Sequence, residues 1–249
     1  MSRTFVADPA RAGDPALDAL LALARPDDIW LDIGAGAGRY ALPLAPHVAE
    51  LVAIDPSAAM LDALRVGVAE HGIANVGAVA GRWPPDAELR SIIGPDPVAD
   101  VALIAHVGYD VEAIVPFLDA MESAARRLCV AVLMDSSPAS LAAPFWPIVH
   151  GQARIPLPAR PQLVELLVAR GTPPAASVVS TERRTWSDRD ELVTMLRRQL
   201  WTVPGSEADD RLLAAVEELT AIADDGSVTI PTAAALEVGV LTWEPHESR

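Results

Sequence analysis

Three alternating glycines early in the chain have the spacing of a turn that binds a nucleotide-like ligand. Gly34, Gly36 and Gly38 follow the apolar run Ile29–Ile33, and a helix is predicted from Arg39 to Ala45. Glycine adopts positive φ angles without steric cost and lets a ligand approach the backbone. Backbone amides at the start of a helix can then face that ligand. The pattern predicts a ligand-binding strand, turn and helix.

Asp32 and Asp55 narrow the choice of ligand. The segment Gly36–Ala41 also matches the G-x-G-x-x-A pattern of dinucleotide-binding domains, and Asp55 follows it about 20 residues on, where it could accept both ribose hydroxyls of either ligand. Asp32 lies just before the first glycine, where a carboxylate would repel the phosphates of a dinucleotide. The same carboxylate favours S-adenosylmethionine, which has no phosphate and carries an ammonium and a sulfonium group.

The elements that would position these residues alternate between strand and helix. Asp14 is predicted to cap a helix that begins at Pro15, and Ser57 to cap a helix that ends before Gly72. Another helix is predicted at Val111–Ala125. Five strands are predicted, at Ile29–Ile33, Leu51–Ile54, Val76–Ala80, Val98–Ala105 and Leu128–Met134. Such alternation implies a parallel sheet with right-handed crossovers.

The second half of the chain differs in kind. Residues 136–160 are rich in proline and serine and predict a long ordered loop on the acceptor side. Two helices and two strands are predicted after the helix Gln162–Ala169: strands at Val178–Trp186 and Leu236–Trp243, and helices at Asp188–Leu200 and Glu207–Ala223. We expect one domain over residues 1–249, with a covering helix in 1–27 and a helical insertion at 187–224 between the last two strands.

Composition excludes several classes of protein. The net charge of -15 disfavours nucleic acid as a partner, because phosphates would be repelled. All 19 lysine-plus-arginine positions are arginines, so Walker A, pyridoxal-phosphate and kinase lysines are impossible. No long apolar run or secretory signal is evident, and Cys129 is the single cysteine, so we expect a cytoplasmic protein without a membrane span.

The segment Leu31–Gly38 resembles motif I of class I S-adenosylmethionine-dependent methyltransferases, and Ile54–Ser57 through Leu61 resembles their second motif. The resemblance covers residues 15–135 by motif and 160–243 by pattern. It implies a Rossmann-like, doubly wound α/β fold with a seven-stranded sheet in the order 3-2-1-4-5-7-6, mostly parallel with an antiparallel terminal strand. It also implies a cytoplasmic transferase that uses S-adenosylmethionine for methylation by in-line displacement.

The resemblance assigns roles at the carboxyl ends of the strands. For the methionine end it implies Asp32 with Gly34, Ala35, Gly36 and Gly38. For the ribose it implies Asp55 with Pro56. For the adenine it implies Gly81 with Arg82 and Trp83. Arg82 departs from the family, which often has an acidic residue there, and an arginine cannot accept a hydrogen bond from adenine. Backbone groups of Arg82 and Trp83 would recognise the base instead.

The acceptor side is less defined. His106 ends the fourth strand and is predicted either to line the cofactor or to act as a general base. Tyr109, Trp146 and His150 are candidate substrate contacts. No metal motif occurs, and the segment 105–110 lacks the pattern typical of nucleobase amine methylation. We expect a small-molecule acceptor. An NAD(P)-dependent oxidoreductase and a non-catalytic module that binds S-adenosylmethionine are the alternatives.

Overall fold

The computed structural model describes residues 8–180 and 184–246. The chain forms two compact units, the first drawn from residues 1–133, 160–179 and 238–249 and the second from 134–159 and 180–237. The predicted acceptor-side loop and the predicted insertion therefore fall almost entirely in the second unit.

A seven-stranded sheet with helices around it forms the first part of the fold. Its strands are β1 (Ile29–Ile33), β2 (Glu50–Asp55), β3 (Val76–Ala80), β4 (Ala99–Ala105), β5 (Ala125–Met134), β6 (Ala175–Ser180) and β9 (Glu237–Trp243). Its helices are α1 (Pro15–Leu23), α2 (Ala41–Leu44), α3 (Ala58–Glu70), α4 (Ala87–Ile93), α5 (Ile114–Ala124) and α7 (Arg160–Ala169).

The order of the sheet is β3-β2-β1-β4-β5-β9-β6, which is the order predicted when β9 is counted as the seventh strand of the sheet. The pairs among β1 to β5 are parallel. The backbone N–H of Asp135, just after β5, donates to the carbonyl of Glu237 at the beginning of β9 over 2.8 Å. A strand end beside a strand beginning means that β9 runs antiparallel to β5, as expected. The predicted fold class is confirmed.

Local capping explains where the helices begin. The carboxylate of Asp14 accepts from the amides of Ala16 and Leu17, and Pro15 takes the first helical position, where its missing N–H costs nothing. Ser57 caps α3 through the amide of Met60. These confirm the predicted helix starts. Asp86 caps α4 in the same way, but α4 itself was not predicted, since only Leu89 of its seven residues is buried and its apolar periodicity is weak.

The second unit has its own elements and its own core. Its elements are α6 (Trp146–His150), α8 (Arg189–Leu200), α9 (Glu207–Leu219) and the short strands β7 (Ala221–Ile222) and β8 (Val228–Thr229). Buried leucines of α8 and α9 pack with Phe145 and Trp186. A bidentate ion pair from Arg197 to Asp209, with N–O distances of 2.7 and 2.8 Å, joins the two helices.

Two boundaries predicted in this half were wrong, and one predicted loop contains short helices. The strand predicted at Val178–Trp186 is instead β6 at Ala175–Ser180; residues 181–183 lie outside the described residues, and Trp186 bridges to Val228. The helix predicted to reach Ala223 ends at Leu219, because β7 and β8 form a separate antiparallel ribbon. The predicted loop 136–160 is ordered but contains α6 and a 3₁₀ turn at Pro138–Ala142.

A buried carboxylate braces the far side of the sheet. Glu122 of α5 is 4% exposed; its Oε1 accepts from the indole N–H of Trp243 in β9 at 3.0 Å, and its Oε2 accepts from Arg170 at 2.9 Å. Arg170 follows α7 and also contacts Asp119. The cation therefore compensates a charge that has been removed from water.

We expect Arg170→Ala to lower the free energy of unfolding by about 3 kcal/mol, because Glu122 would remain buried with its charge uncompensated. Urea denaturation followed by circular dichroism measures this effect. The control is Arg65→Ala, which removes an exposed arginine paired with Asp62 and should cost at most about 0.5 kcal/mol. Equal losses in both variants would contradict a bracing role for Glu122.

Candidate functional site

The carboxyl ends of four adjacent parallel strands bring the predicted site residues to one edge of the sheet. Ile33 at the end of β1 is in register with Ile54 of β2 and with Ile104 of β4. Asp55 ends β2 beside Ala80, the last residue of β3. Ligands of open parallel sheets bind at this edge, near the point where the strand order reverses, which here lies between β1 and β4.

Asp55 connects two turns of this edge. Its Oδ2 accepts from the amide of Gly36 at 2.9 Å, and its Oδ1 accepts from the amide of Ser57 at 2.8 Å. The loop is also hydrogen-bonded to β2, because the amides of Gly34 and Ala35 both donate to the carbonyl of Ile54. The glycine loop is therefore fixed by backbone hydrogen bonds before any ligand arrives. Each carboxylate oxygen of Asp55 keeps a second lone pair that can accept a hydroxyl.

The three glycines of the loop all have positive φ but serve different purposes. A Cβ on Gly34 would lie 2.5 Å from Val107 Cγ2, and one on Gly38 would lie 2.4 Å from Leu64 Cδ1. These two positions need glycine for packing within the protein. A Cβ on Gly36, at φ 57°, would meet nothing within 4 Å. Gly36 thus presents bare backbone to open space, as a position that receives a ligand would.

Asp32 is the most unusual charge of the edge. It lies on β1, is 2% exposed, and its Oδ1 has no hydrogen-bond partner among residues 8–180 and 184–246. Burial, reinforced by the nearby charge of Asp55, raises the pKa of Asp32 to about 7. A buried carboxylate without a partner is costly. A cationic ligand at this position would relieve that cost and favour the ionised form.

His106 follows β4 with an unusual backbone. Its φ is 58°, and its amide donates to the carbonyl of Val132 at 2.8 Å. Burial, reinforced by the positive charge of Arg39, lowers its pKa to about 4. Nδ1 is buried, and the described chain offers it no hydrogen-bond partner. A neutral imidazole is available to a ligand, but a group with this pKa is a weak base near neutral pH.

A cluster of Arg11, Asp14, Arg39 and Tyr40 lies beside the loop and was not among the predicted site residues. The guanidinium carbons of Arg11 and Arg39 lie 5.1 and 5.5 Å from the centroid of the buried Tyr40 ring. Asp14 accepts from both arginines, at 3.1 and 3.2 Å. The Tyr40 ring lies 6.3 Å from that of His106. In the sequence, only Tyr40, which precedes α2 directly after the glycine loop, indicated this cluster. No sequence pattern indicated Arg11.

The residues predicted to contact adenine, Gly81, Arg82 and Trp83, follow β3 and differ in exposure and hydrogen bonding. Gly81 donates to the carbonyl of Asp55 at 3.2 Å and packs against Leu89, while Arg82 is exposed. The indole N–H of Trp83 donates to the carbonyl of Phe117 at 3.2 Å. That bond fixes the ring and leaves the backbone of this segment as the part that a base could contact. Pro56, in the neighbouring turn, is exposed.

The candidate substrate residues are divided between the two units. Tyr109 lies after β4 in the first unit and is 7% exposed. Trp146 and His150 belong to α6 of the second unit, with ring centroids 4.3 Å apart. His150 Nε2 bonds to the carbonyl of Leu200 at 2.9 Å, so one ring nitrogen is already engaged. Trp146 also meets Trp201 edge-on at 5.4 Å.

Residues 8–180 and 184–246 show neither a membrane span nor a metal cluster. No helix there is both long enough and apolar enough to cross a membrane. No group of three or more His, Cys, Asp or Glu side chains within those ranges is arranged to hold a metal ion.

Comparisons with known proteins agree with this geometry. Residues 31–127 match the profile of a family described as a methyltransferase domain. The YcgJ protein of Bacillus subtilis has a similar structure, with 14% identity, a TM-score of 0.62, and coverage of 93% of this chain and 99% of its own. A putative methyltransferase of Bacillus halodurans has 12% identity and a TM-score of 0.64, covering 94% and 100%. No curated protein sequence matches this chain.

A third similar structure is that of a geranyl diphosphate methyltransferase in complex with GPP and sinefungin, with 13% identity, a TM-score of 0.53, and coverage of 93% of this chain and 77% of its own. Such identities establish the fold alone, and the family match establishes the domain. The profile match over residues 31–127 and the shared fold agree with the resemblance to class I methyltransferases.

Asp32→Asn should raise the free energy of unfolding of the ligand-free protein at pH 8 by roughly 1–3 kcal/mol, by removing a buried charge. The folded-state pKa of about 7 lies above the ordinary 3.8, so the folded protein holds a proton that the unfolded chain releases. The stability associated with that proton is lost as the pH rises through this window. At pH 5, which lies within this window, the substitution should therefore raise the free energy of unfolding by a smaller amount. Urea denaturation at both pH values measures the difference.

The control for that substitution is Asp62→Asn, since the Asp62 side chain is 63% exposed. It should have a small and similar effect at both pH values. An Asp32→Asn effect that does not change between pH 5 and pH 8 would contradict the raised pKa.

Gly36→Val and Gly72→Val form a matched pair, because both glycines have positive φ (57° and 63°) and open space where a Cβ would stand. Both variants should lose stability by roughly 1–2 kcal/mol from left-handed backbone strain. Only Gly36→Val should also weaken ligand binding, by more than about tenfold, since only Gly36 belongs to the glycine loop. Thermal unfolding and calorimetry measure the two effects. Equal ligand binding in both variants would remove Gly36 from the site.

Proposed function

We propose that this chain, which has the class I methyltransferase fold and a methyltransferase domain at residues 31–127, transfers a methyl group from S-adenosylmethionine to a small-molecule acceptor. The observation that carries the proposal is Asp32, a buried carboxylate two residues before Gly34, whose Oδ1 has no hydrogen-bond partner in the part of the chain that the structure describes. A cationic ligand satisfies that oxygen, whereas a dinucleotide would bring phosphates toward it.

The residues of the edge suit the parts of S-adenosylmethionine. Asp32 is the proposed partner of the ammonium group, and Gly36 offers backbone without a side chain. Asp55 ends β2, where its remaining lone pairs can accept the ribose hydroxyls while its other bonds hold the loop. The backbone at Gly81–Trp83 is the proposed contact for adenine. Pro56 and Ala35 complete the turns on either side of the ribose and the methionine portion.

Sinefungin, bound to one of the similar structures, is an analogue of S-adenosylmethionine. That observation belongs to geranyl diphosphate methyltransferase and supports the proposed cofactor through the shared fold. The same protein carries GPP, a small molecule, which supports a small-molecule acceptor as the class to test first.

The chain's part in the reaction is chiefly positioning. S-adenosylmethionine supplies an electrophilic methyl group on a sulfonium, and an acceptor held in line with it needs little further chemistry. Neutral His106, at the end of β4, can accept a hydrogen bond through Nδ1 and so orient a ligand at this edge. Its low pKa favours this orienting role over that of a strong general base.

The proposed contacts of the acceptor are three residues, Tyr109, Trp146 and His150. Tyr109 contributes a buried aromatic side chain after β4. Trp146 and His150 form a tilted aromatic pair in the second unit, with the Arg154 guanidinium 4.6 Å from the Trp146 ring. Aromatic faces of this kind suit a planar or apolar acceptor better than a strongly hydrated one.

Calorimetry should detect S-adenosylmethionine and its demethylated product at one site, with NAD and NADP at least about tenfold weaker, a gap of roughly 1.4 kcal/mol. The reason is the repulsion between Asp32 and the dinucleotide phosphates. Turnover is then measured as demethylated product formed during a screen of phenols, amines and carboxylates. Tighter binding of NAD would contradict the proposal. Tight cofactor binding without turnover in any screen would favour a binding module.

A further inference from the structure

The guanidinium of Arg11 has one nitrogen, Nη2, that lacks a hydrogen-bond partner among the described residues. Its Nε donates to Asp14 at 3.1 Å, and its Nη1 donates to the carbonyl of Arg39. Its Nη2 is buried and has no hydrogen-bond partner in the part of the chain that the structure describes. Burying an unpaired guanidinium nitrogen is costly unless a ligand completes it. Arg11 also lies outside the segment 31–127 that matches the methyltransferase domain, so the family match assigns it no role.

The electrostatic balance around Arg11 favours an anion. Two guanidinium groups, those of Arg11 and Arg39, flank the Tyr40 ring, and both bind the same oxygen of one carboxylate, Asp14 Oδ2. Two positive charges against one negative charge leave a net positive charge in the cluster. The field reaches the end of β4, where Arg39 contributes to the lowered pKa of His106. A second carboxylate would be attracted to this place.

Asp32 and Arg39, which Arg11 contacts, flank the glycine loop in the sequence. Asp32 precedes Gly34 by two residues, and Arg11 binds the carbonyl of Arg39, which directly follows Gly38. One end therefore has a buried carboxylate oxygen without a partner, and the other has a buried guanidinium nitrogen without a partner. An amino-acid group carries the complementary pair, an ammonium and a carboxylate on one carbon.

We propose that Arg11 binds the carboxylate of the cofactor's amino-acid end while Asp32 binds its ammonium, so that the N-terminal segment before α1 is a specificity element of the cofactor site. This inference rests on the proposed function. Two of the three nitrogens of the Arg11 guanidinium are already anchored, by Asp14 and by the backbone of Arg39. The third is therefore held in place, and little side-chain entropy is lost when it binds.

The test compares three ligands in two proteins by calorimetry. S-adenosylhomocysteine has both the ammonium and the carboxylate, its decarboxylated counterpart has only the ammonium, and 5′-methylthioadenosine has neither. In the natural protein, S-adenosylhomocysteine should bind about ten- to 150-fold more tightly than its decarboxylated counterpart, as expected for a hydrogen-bonded charge pair. In Arg11→Gln that preference should fall to within about threefold, with the decarboxylated ligand binding nearly as before.

The preference is a ratio measured within one protein, so a change in the folded fraction of Arg11→Gln does not imitate the result. Arg65→Gln is the matched control, because Arg65 pairs with Asp62 at the same i,i+3 spacing as Arg11 with Asp14 but far along the chain in α3. It should keep the full preference. Thermal unfolding confirms that both variants are folded at the temperature of the measurement.

Two results would overturn the inference. If Arg11→Gln weakens all three ligands by the same factor, Arg11 supports the loop without touching the carboxylate. If it changes none of them, Arg11 lies outside the site; a carboxylate on the acceptor would then be its alternative partner, seen as an Arg11-dependent KM for acidic acceptors alone. Failure of the proposed function is distinct from both, because the natural protein would then bind none of the three ligands.

Discussion

The carboxylate of Asp55 holds together the part of the molecule on which the site depends. Its two oxygens bind the amides of Gly36 and Ser57, one in the turn after β1 and one at the start of α3. Because β1 and β2 are parallel neighbours in register, both turns emerge at the same edge, and one side chain can span them. Asp55 therefore shapes the loop and also adds, after burial itself, to the raised pKa of Asp32.

Three residues of the candidate site have energetically unfavourable features. Asp32, Arg11 and His106 each bury a polar atom that has no hydrogen-bond partner in the described chain, and His106 also adopts a positive φ. Each of these costs stability in the absence of a ligand. Surrounding structure over-determines them: β1 carries Asp32, two hydrogen bonds anchor Arg11, and the end of β4 fixes His106. A ligand that supplies the missing partners recovers this free energy as affinity, without reorganising the protein.

Much of the first unit could be predicted from sequence because its signals are local. Asp14 before Pro15 and Ser57 before an apolar run mark helix starts within four residues, and alternating glycines mark the loop. The Arg11 contact could not be predicted, since it joins residues 28 positions apart through a backbone carbonyl, which no side-chain pattern records. The misplaced strand at 178–186 has a similar cause. Valines at one end and Trp186 at the other suggested one strand, but β6 and Trp186 pair with different strands, and pairing over long distance decides the boundary.

Under the proposed function, Gly36 offers the cofactor main chain alone, and this has an evolutionary consequence. A contact made through backbone atoms restricts a position to glycine but leaves the neighbouring side chains free to change. A lineage can therefore exchange nearly all the residues around such a loop and retain the ability to bind the same ligand. The similar structures share only 12–14% of their residues with this chain while keeping its fold at TM-scores of 0.62–0.64. Selection on a site of this kind acts on the path of the backbone more strongly than on the identity of the surrounding side chains.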